Sequence, residues 1–252
     1  MKILVSPAKK LDFETENTIS QTTEPQLISK ANHLAKQMKK LTASDLSKLM
    51  KLSQNLAELN YKRFQSFTLK TNALAKPAAF AFNGDTYIGL DIHSLSASEI
   101  KRAQKQLRIL SGLYGVLRPL DIIQPYRLEM GTKLKVDKAK NLYDYWQYEV
   151  TELLNGELKK DEIIVNCASL EYFSVVDTKK LKGKLITPVF KENKNGHYKI
   201  ISFNAKRARG MMAKYIIQND IKTEAGLKEF NLDGYRYNPD LAKEGEFLFT
   251  RG

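Results

Sequence analysis

The apolar and polar positions of the chain switch repeatedly between a strand-like and a helix-like period. Residues 3–5 are a short apolar run closed by Ser6-Pro7, the pattern of a buried strand. A polar stretch over residues 12–23 reads as an extended surface loop. Pro25 opens a helical pattern with Leu27, Leu34, Met38 and Leu41 on one face. Residues 42–52 and 55–67 continue as helices that turn Leu46, Leu49, Leu56, Leu59 and Phe64 inward. Residues 78–82 read as a strand, followed by a turn at Asn83-Gly84 and a second apolar piece at Tyr87-Ile88. Ser96 and Glu99 have the spacing of a capping box, opening a helix that runs to about residue 110. Another helix is predicted over residues 141–158, with Trp146, Val150 and Leu153 toward the core. Strands follow at 163–167, 184–190 and 197–203, and Asn195-Gly196 is a hairpin signal between the last two. A helix over 205–218 and a strand over 246–250 close the series.

Helix and strand interleave throughout, with no Gly/Ser-rich linker, internal repeat or low-complexity block. That order predicts a single mixed α/β domain over residues 1–252, a mixed sheet surrounded by helices. A hydrophobic content of 42% is that of a globular chain and not of a disordered one. No apolar run approaches the roughly 18 residues of a membrane span, and the N-terminal run is too short for a signal peptide. The single cysteine, Cys167, excludes an internal disulfide and fits a reducing, cytoplasmic compartment. It forms no ligand spacing with His33, His93 or His197, so neither a metal site nor a cofactor cluster is expected.

Charge changes the picture. Lys and Arg number 41 against 28 Asp and Glu, a formal charge of +13. Such an excess repels itself in a compact chain and points to a polyanionic partner or to solubility. The cations are also clustered. Lys101, Lys105 and Arg108 recur at helical spacing beside the apolar stripe of Ile100, Ala103, Leu107 and Leu110. No acidic residue falls between Glu99 and Asp121, while Arg102 and Arg118 add to the cluster. Directly afterwards, Gly112 and Gly115 punctuate Leu110-Ser111-Gly112-Leu113-Tyr114-Gly115-Val116-Leu117. Two glycines in a short turn between apolar anchors resemble the helix-hairpin-helix motif of DNA repair proteins. In that motif, turn N–H groups and the following helix N-terminus approach one phosphate. Here two residues separate the glycines instead of one, and Pro119 limits the second helix unless it stands at that helix's first position. The plainer alternative is a glycine turn between two packed helices.

A second acid-free stretch lies between Glu192 and Asp220, where Lys194, Lys199, Lys206, Arg207, Arg209 and Lys214 are basic. Lys206, Arg207 and Arg209 alternate with small residues at the start of a predicted helix. Exposed cations there oppose the macrodipole by about 0.3–1 kcal/mol each. Core packing explains Ala205, Ala208 and Met212 but not these three cations, which suggests an anionic ligand. Charge alone does not choose among DNA, RNA, an anionic membrane and a phosphorylated small molecule; the likeness to the helix-hairpin-helix motif favours DNA, double-stranded or locally opened, held by its phosphates largely without sequence preference.

Polar residues also gather where strands end, the usual place for ligands in α/β proteins. Ser6, Lys9 and Lys10 follow the first strand; Asp85 and Tyr87 follow the Asn83-Gly84 turn. Arg118, Tyr126, Arg127 and Glu129 fall in one segment, and Asn166, Ser169, Glu171 and Tyr172 surround the end of the strand at Cys167. Carboxylates among Lys and Arg suit general acid–base chemistry on a nucleobase or glycosidic bond, so an enzyme acting on nucleic acid or nucleotides is the alternative reading. The same groups also tie loops together in proteins without catalytic activity. No Walker loop, Rossmann glycine fingerprint, Ser-His-Asp order or metal spacing is present, and no catalytic residue is assigned. Cys167, in an apolar strand, reads as a structural thiol.

Together these stretches resemble the YaaA family of bacterial peroxide-stress proteins. The pieces are Ser6-Pro7-Ala8-Lys9-Lys10-Leu11-Asp12, Phe82-Asn83-Gly84-Asp85-Thr86-Tyr87-Ile88-Gly89-Leu90 and residues 107–131. Further pieces are Asn141-Leu142-Tyr143, Asn166-Cys167-Ala168-Ser169-Leu170-Glu171-Tyr172 and residues 201–217 around Lys206-Arg207-Ala208-Arg209-Gly210. Cys167 stands where an aliphatic residue is expected, which fits a core filler and argues against family-wide thiol chemistry. The resemblance implies a cytoplasmic protein that limits oxidative damage during hydrogen peroxide stress. It also implies an unusual mixed α/β fold with a positively charged cleft and a DNA-binding helix-hairpin-helix-like element at Gly112 and Gly115. No established catalytic activity comes with it.

Overall fold

The apolar runs at residues 3–5 and 163–167 and part of the predicted basic helix come together as the middle of a sheet. The computed structural model describes residues 1–16, 19–69, 75–242 and 246–252. The chain runs β1 (Lys2–Val5), α1 (Ile28–Lys39), α2 (Ala43–Met50), α3 (Gln54–Ser66), β2 (Lys76–Pro77), α4 (Ala78–Ala81), α5 (Asp85–Leu90), α6 (Ala97–Gln106), β3 (Leu107–Ser111), β4 (Gly115–Leu117) and β5 (Ile122–Ile123). It continues through α7 (Leu142–Glu157), β6 (Ile163–Cys167), α8 (Leu170–Phe173), β7 (Lys184–Lys194), β8 (His197–Lys199), α9 (Ser202–Gln218), α10 (Glu224–Lys228), β9 (Arg236–Tyr237) and β10 (Glu246–Arg251).

Among the described residues, eight strands form one mixed sheet in the order β4-β3-β1-β6-β7-β10-β9, with β8 paired to β7. From β3 to β10 the pairing along this path is parallel, while β4, β8 and β9 pair antiparallel. β1 lies between β3 and β6: Val5 faces Ile109 on one side and Cys167 on the other. Ile3, Leu4 and Val5 have no exposed surface, and burial on both faces is why these strands read as unbroken apolar runs. The chain visits β3 on one side of β1 and then β6 on the other. That reversal creates a switch point at the C-terminal end of β1, where the flanking connections diverge and leave a crevice.

The helices close over this sheet in one contiguous core, to which α1–α3 contribute Leu34, Met38, Leu46 and Phe64, and α7 contributes Trp146 and Val150. α9 packs against β1, β6 and β7 and buries Met212, Ile216 and Ile217. α5 crosses α9 with backbones nearly touching. A Cβ on Gly89 would lie 2.0 Å from the Arg207 carbonyl oxygen, and one on Gly210 would lie 1.8 Å from that of Thr86. Only glycine permits that approach. At the far end of the sheet Phe190, Phe230, Tyr235 and Phe249 form a mutual ring cluster.

Most predicted elements are found close to their expected bounds, including the Ser96/Glu99 capping box and the Asn195-Gly196 hairpin, whose two residues both have positive φ. The loop predicted over 12–23 includes residues 17–18, which lie outside the described residues. Leu56 and Leu59, expected inward, lie on the exposed side of α3, which buries Ala57, Asn60 and Phe64 instead. Three expected elements are also corrected. Residues 78–82 are not a strand: Lys76–Pro77 pair with β5, Ala78–Ala81 turn helical, and Phe82 makes only an isolated bridge to Leu11. Residues 197–203 are not one strand, since β8 ends at Lys199 and α9 has begun by Ser202. Finally, the helix expected to reach residue 110 ends at Gln106, and Leu107–Ser111 become β3. The backbone pairing offered by β1 overrides the helical period there, because the segment is apolar enough to be buried on both faces.

With that helix shortened, no helix-hairpin-helix forms. Gly112 and Gly115 lie in a tight β-hairpin between β3 and β4, in which Ser111 pairs with Gly115. Neither flank is a helix. Residues 111–115 are all buried, so the turn offers no surface to a phosphate. Trp146 Nε1 donates to the Gly112 carbonyl at 2.9 Å, and the Trp146 ring lies against Gly115, whose φ is +70°. Within the turn, Tyr114 N donates to Ser111 Oγ at 2.9 Å.

Candidate nucleic-acid interface

The crevice at the switch point is built from four short pieces of chain. Ser6 to Lys10 leave the end of β1; Asn83 to Tyr87 enter α5; Cys167 to Tyr172 leave β6; Lys206 and Arg209 descend from α9. Together they line a cleft of about 380 Å³. Local hydrogen bonding fixes the pieces to one another. Ser169 N donates to Ser6 Oγ at 2.8 Å, joining the two strand ends. Asn83 N donates to the Lys10 carbonyl at 2.9 Å and Asp12 N to that of Ala81 at 2.7 Å, which ties the β1 loop to the approach of α5. Tyr87 OH donates to the Ser6 carbonyl at 3.1 Å. On the β6 side, Gly131 N donates to Glu171 Oε1 at 3.1 Å, and Tyr143 OH donates to the Glu171 carbonyl at 2.8 Å.

Charge in the cleft is uneven. Lys10, Lys206 and Arg209 make no ion pair among the described residues, and Asp85 has no ion-pair or side-chain hydrogen-bond partner among them. Burial lowers the Arg209 pKa, against the opposing pull of Cys167. Burial also pushes the Cys167 thiol up to about 12, with Arg209 pulling it slightly back. The thiol is therefore protonated at neutral pH and inert as a nucleophile, although it lines the cleft. Burial raises the Tyr87 and Tyr172 hydroxyls well above the ordinary tyrosine value, so these walls are neutral. Beside the cleft, a niche shares Pro7, Ala8, Lys9 and Tyr172 with it and adds Tyr126, Arg127 and Glu129. The Glu129 carboxylate bridges Lys9 Nζ at 2.8 Å and the Arg127 guanidinium at 2.9 Å. Burial pushes this carboxyl up, but the two cations outweigh it and hold it below the usual range. Tyr126 OH shares a 2.7 Å hydrogen bond with Ser111 Oγ and is occupied in the core.

Six of the predicted pocket residues thus meet in one cleft: Ser6, Lys9, Lys10, Asp85, Tyr87 and Glu171. Lys206 and Arg209, expected as part of a separate basic patch, line the same cleft. The other predicted cations divide. Lys101 and Lys105 are exposed on α6, which packs beside α9, and Arg207 is exposed on α9 outside the cleft. Arg108 and Arg118 are spent on the fold. Arg108 is 4% exposed, pairs with Glu157 at 2.6 Å and donates to the Gln104 and Leu107 carbonyls. Arg118 clamps Asp121 at 2.8 Å and donates to the Glu24 carbonyl. Sequence reasoning missed Asn83, Gly84 and Thr86 as lining residues. The turn signal at Asn83-Gly84 was visible, but only the bridge between Leu11 and Phe82 brings it against the end of β1.

A model of the family described as "Peroxide stress protein YaaA" matches residues 1–241. The chain belongs to that family. It is 50% identical over 252 residues to a UPF0246 protein of Flavobacterium psychrophilum, with both chains covered in full. To a UPF0246 protein of Saccharophagus degradans it is 50% identical over 254 residues, covering 100% of this chain and 99% of the relative. To one of Aliivibrio fischeri it is 54% identical over 254 residues, covering 100% and 98%. The family is one of peroxide stress proteins, which agrees with an oxidative stress role. Among the described residues no helix is long and apolar enough to cross a membrane.

Proposed function

We propose that this protein serves the peroxide stress response by binding the phosphate backbone of DNA through the basic rim of the switch-point cleft. One observation carries this reading: Lys10, Lys206 and Arg209 converge on a single cleft with no ion-pair partner among the described residues. Like charges brought together without partners repel one another, and an anion at the cleft mouth relieves that repulsion. Lys101, Lys105 and Arg207, exposed on two adjacent helices, add positive potential on the neighbouring surface. Contacts of this kind neutralise phosphates and read no bases. These residues, and not Arg108, Arg118 or the Gly112–Gly115 turn, form the interface.

The test is binding to a labelled duplex, and to one with an unpaired bubble, across a salt series. Affinity should fall steeply with salt and vary little with sequence. The Lys10→Glu, Lys206→Glu double variant should bind every sequence more weakly, with the salt slope reduced by about 1 for each phosphate no longer neutralised. Unchanged affinity and slope in that variant would remove the cleft from the interface. A second reading, chemistry on a nucleotide, rests on the presence of Asp85 and Glu171 in the same cleft as those cations. Release of a base, or a nick, on incubation with damaged DNA would favour it over binding alone.

A further inference from the structure

Away from the cleft, α3 exposes apolar side chains beside a second hollow. Leu59, 42% exposed, lines an open groove of about 370 Å³ with Leu11, Phe13 and Pro125. The wall opposite α3 is already fixed in place. Leu11 bridges Phe82, Asp12 N donates to the Ala81 carbonyl at 2.7 Å, and Lys76 Nζ donates to the Thr15 carbonyl at 2.9 Å. Arg63, one helical turn beyond Leu59 and half-buried, lines the same groove. Among the described residues its guanidinium donates only to Asn60 Oδ1, at 3.3 Å, and makes no ion pair. Burial lowers the Arg63 pKa and the charge of Arg127 lowers it further. Arg127 is already matched by Glu129, which also serves Lys9, so that carboxylate is not spare. Lys62 and Glu14 line the groove too, both exposed, and neither makes an ion pair among the described residues. A partly buried guanidinium without a carboxylate is costly to hold, and an anionic group from outside relieves that cost.

We propose that this groove docks a segment of another protein in which an acidic side chain is flanked by large apolar ones. The acid pairs with Arg63, assisted by Lys62, while the apolar side chains cover Leu59, Phe13 and Pro125. The length of the face favours a chain segment over a small molecule. From Leu56, itself 39% exposed, to Ser66 at the groove, α3 rises about 15 Å. The apolar floor gives nothing to a nucleic-acid backbone, which is charged along its whole length. A second copy of this chain is repelled, since each carries +13, whereas an acidic partner is drawn by the same field. The groove shares no lining residue with the cleft, so its occupancy is independent of the DNA binding proposed there.

The probe is a random peptide library displayed on phage and panned against the full chain, with the enriched sequences synthesised and measured by fluorescence anisotropy. Enriched peptides should share a carboxylate beside large apolar residues. Leu59→Ser, altered at an exposed position, should weaken them roughly ten-fold or more. Arg63→Gln, checked for folding by circular dichroism, should weaken them as much and remove the preference for a carboxylate. The Lys10→Glu, Lys206→Glu variant should bind them within a few-fold of the parent, and an unlabelled duplex should not displace them. No enrichment, enriched peptides lacking acidic residues, or unchanged affinity in Leu59→Ser would overturn the docking site. Displacement by duplex that is lost in Arg63→Gln would give the groove to nucleic acid instead.

Discussion

Arg108 and Lys206 are two cations in opposite settings, one buried and paired, the other exposed on the cleft. The Arg108 guanidinium is enclosed beside β3 and neutralised by Glu157, which Lys2 also approaches at 3.1 Å. Burial pushes the Glu157 carboxyl up, but Arg108 and then Lys2 outweigh it and hold the group below its usual range. Removing Arg108 leaves that carboxylate with Lys2 alone in a partly buried site. Arg108→Ala is therefore expected to lower stability by roughly 3 kcal/mol, the low end for a broken buried pair, as read from urea midpoints. Its DNA affinity, measured where it remains folded, should match the parent. An affinity loss without a stability loss would show that Arg108 reaches the ligand after all.

The α5–α9 crossing is the element on which the cleft depends. α5 brings Asp85, Thr86 and Tyr87 to the site, α9 brings Lys206 and Arg209, and Gly89 and Gly210 let the two backbones meet. A methyl group at residue 210 would enter the Thr86 carbonyl, which is main chain and cannot swing aside. Gly210→Ala should destabilise by about 1–3 kcal/mol through overpacking. It should also weaken the DNA binding proposed above, because the separation it forces moves the Asp85 side of the cleft away from the Lys206 side. An unaltered midpoint in chemical denaturation would show that the crossing is looser than these distances imply. The hairpin between β3 and β4 is a different case: it packs against Trp146 of α7 in the core, and its glycines serve close packing, not ligand approach.

At the scale of the whole molecule, the charge of +13 is partly organised into pairs that stabilise the fold and partly left free. The pairs have a pH signature. Glu129 and Glu157 both have lowered carboxyl pKa values because their cations outweigh the effect of burial. A carboxyl lowered in the folded state contributes stability above its unfolded value and loses it as pH falls through the folded value. Urea midpoints should therefore hold steady from neutral pH down to the ordinary glutamate range, about 4.3, and fall below it. Glu157→Gln should lower the plateau and flatten the acid limb. An acid limb unchanged by that substitution would assign acid sensitivity to other carboxylates.

The sequence by itself determined the elements whose patterns are local. The apolar triplet of β1, the Ser96/Glu99 cap, the Asn195-Gly196 turn and the periodic faces of α1, α7 and α9 need only neighbours in the chain to be decided. It also determined the polar residues at the ends of β1 and β6, because ligands in such sheets gather where strands finish. Only the tertiary structure decided that Leu107–Ser111 pair with β1 instead of continuing a helix, since a short segment holding three apolar residues is compatible with either until a partner strand is supplied. The same pairing decided which cations are free. Spacing along a chain gives no measure of burial, so Arg108 and Lys206 look alike in sequence. One is enclosed by the sheet it joins, and the other stands at the mouth of the cleft that the sheet's reversal opens.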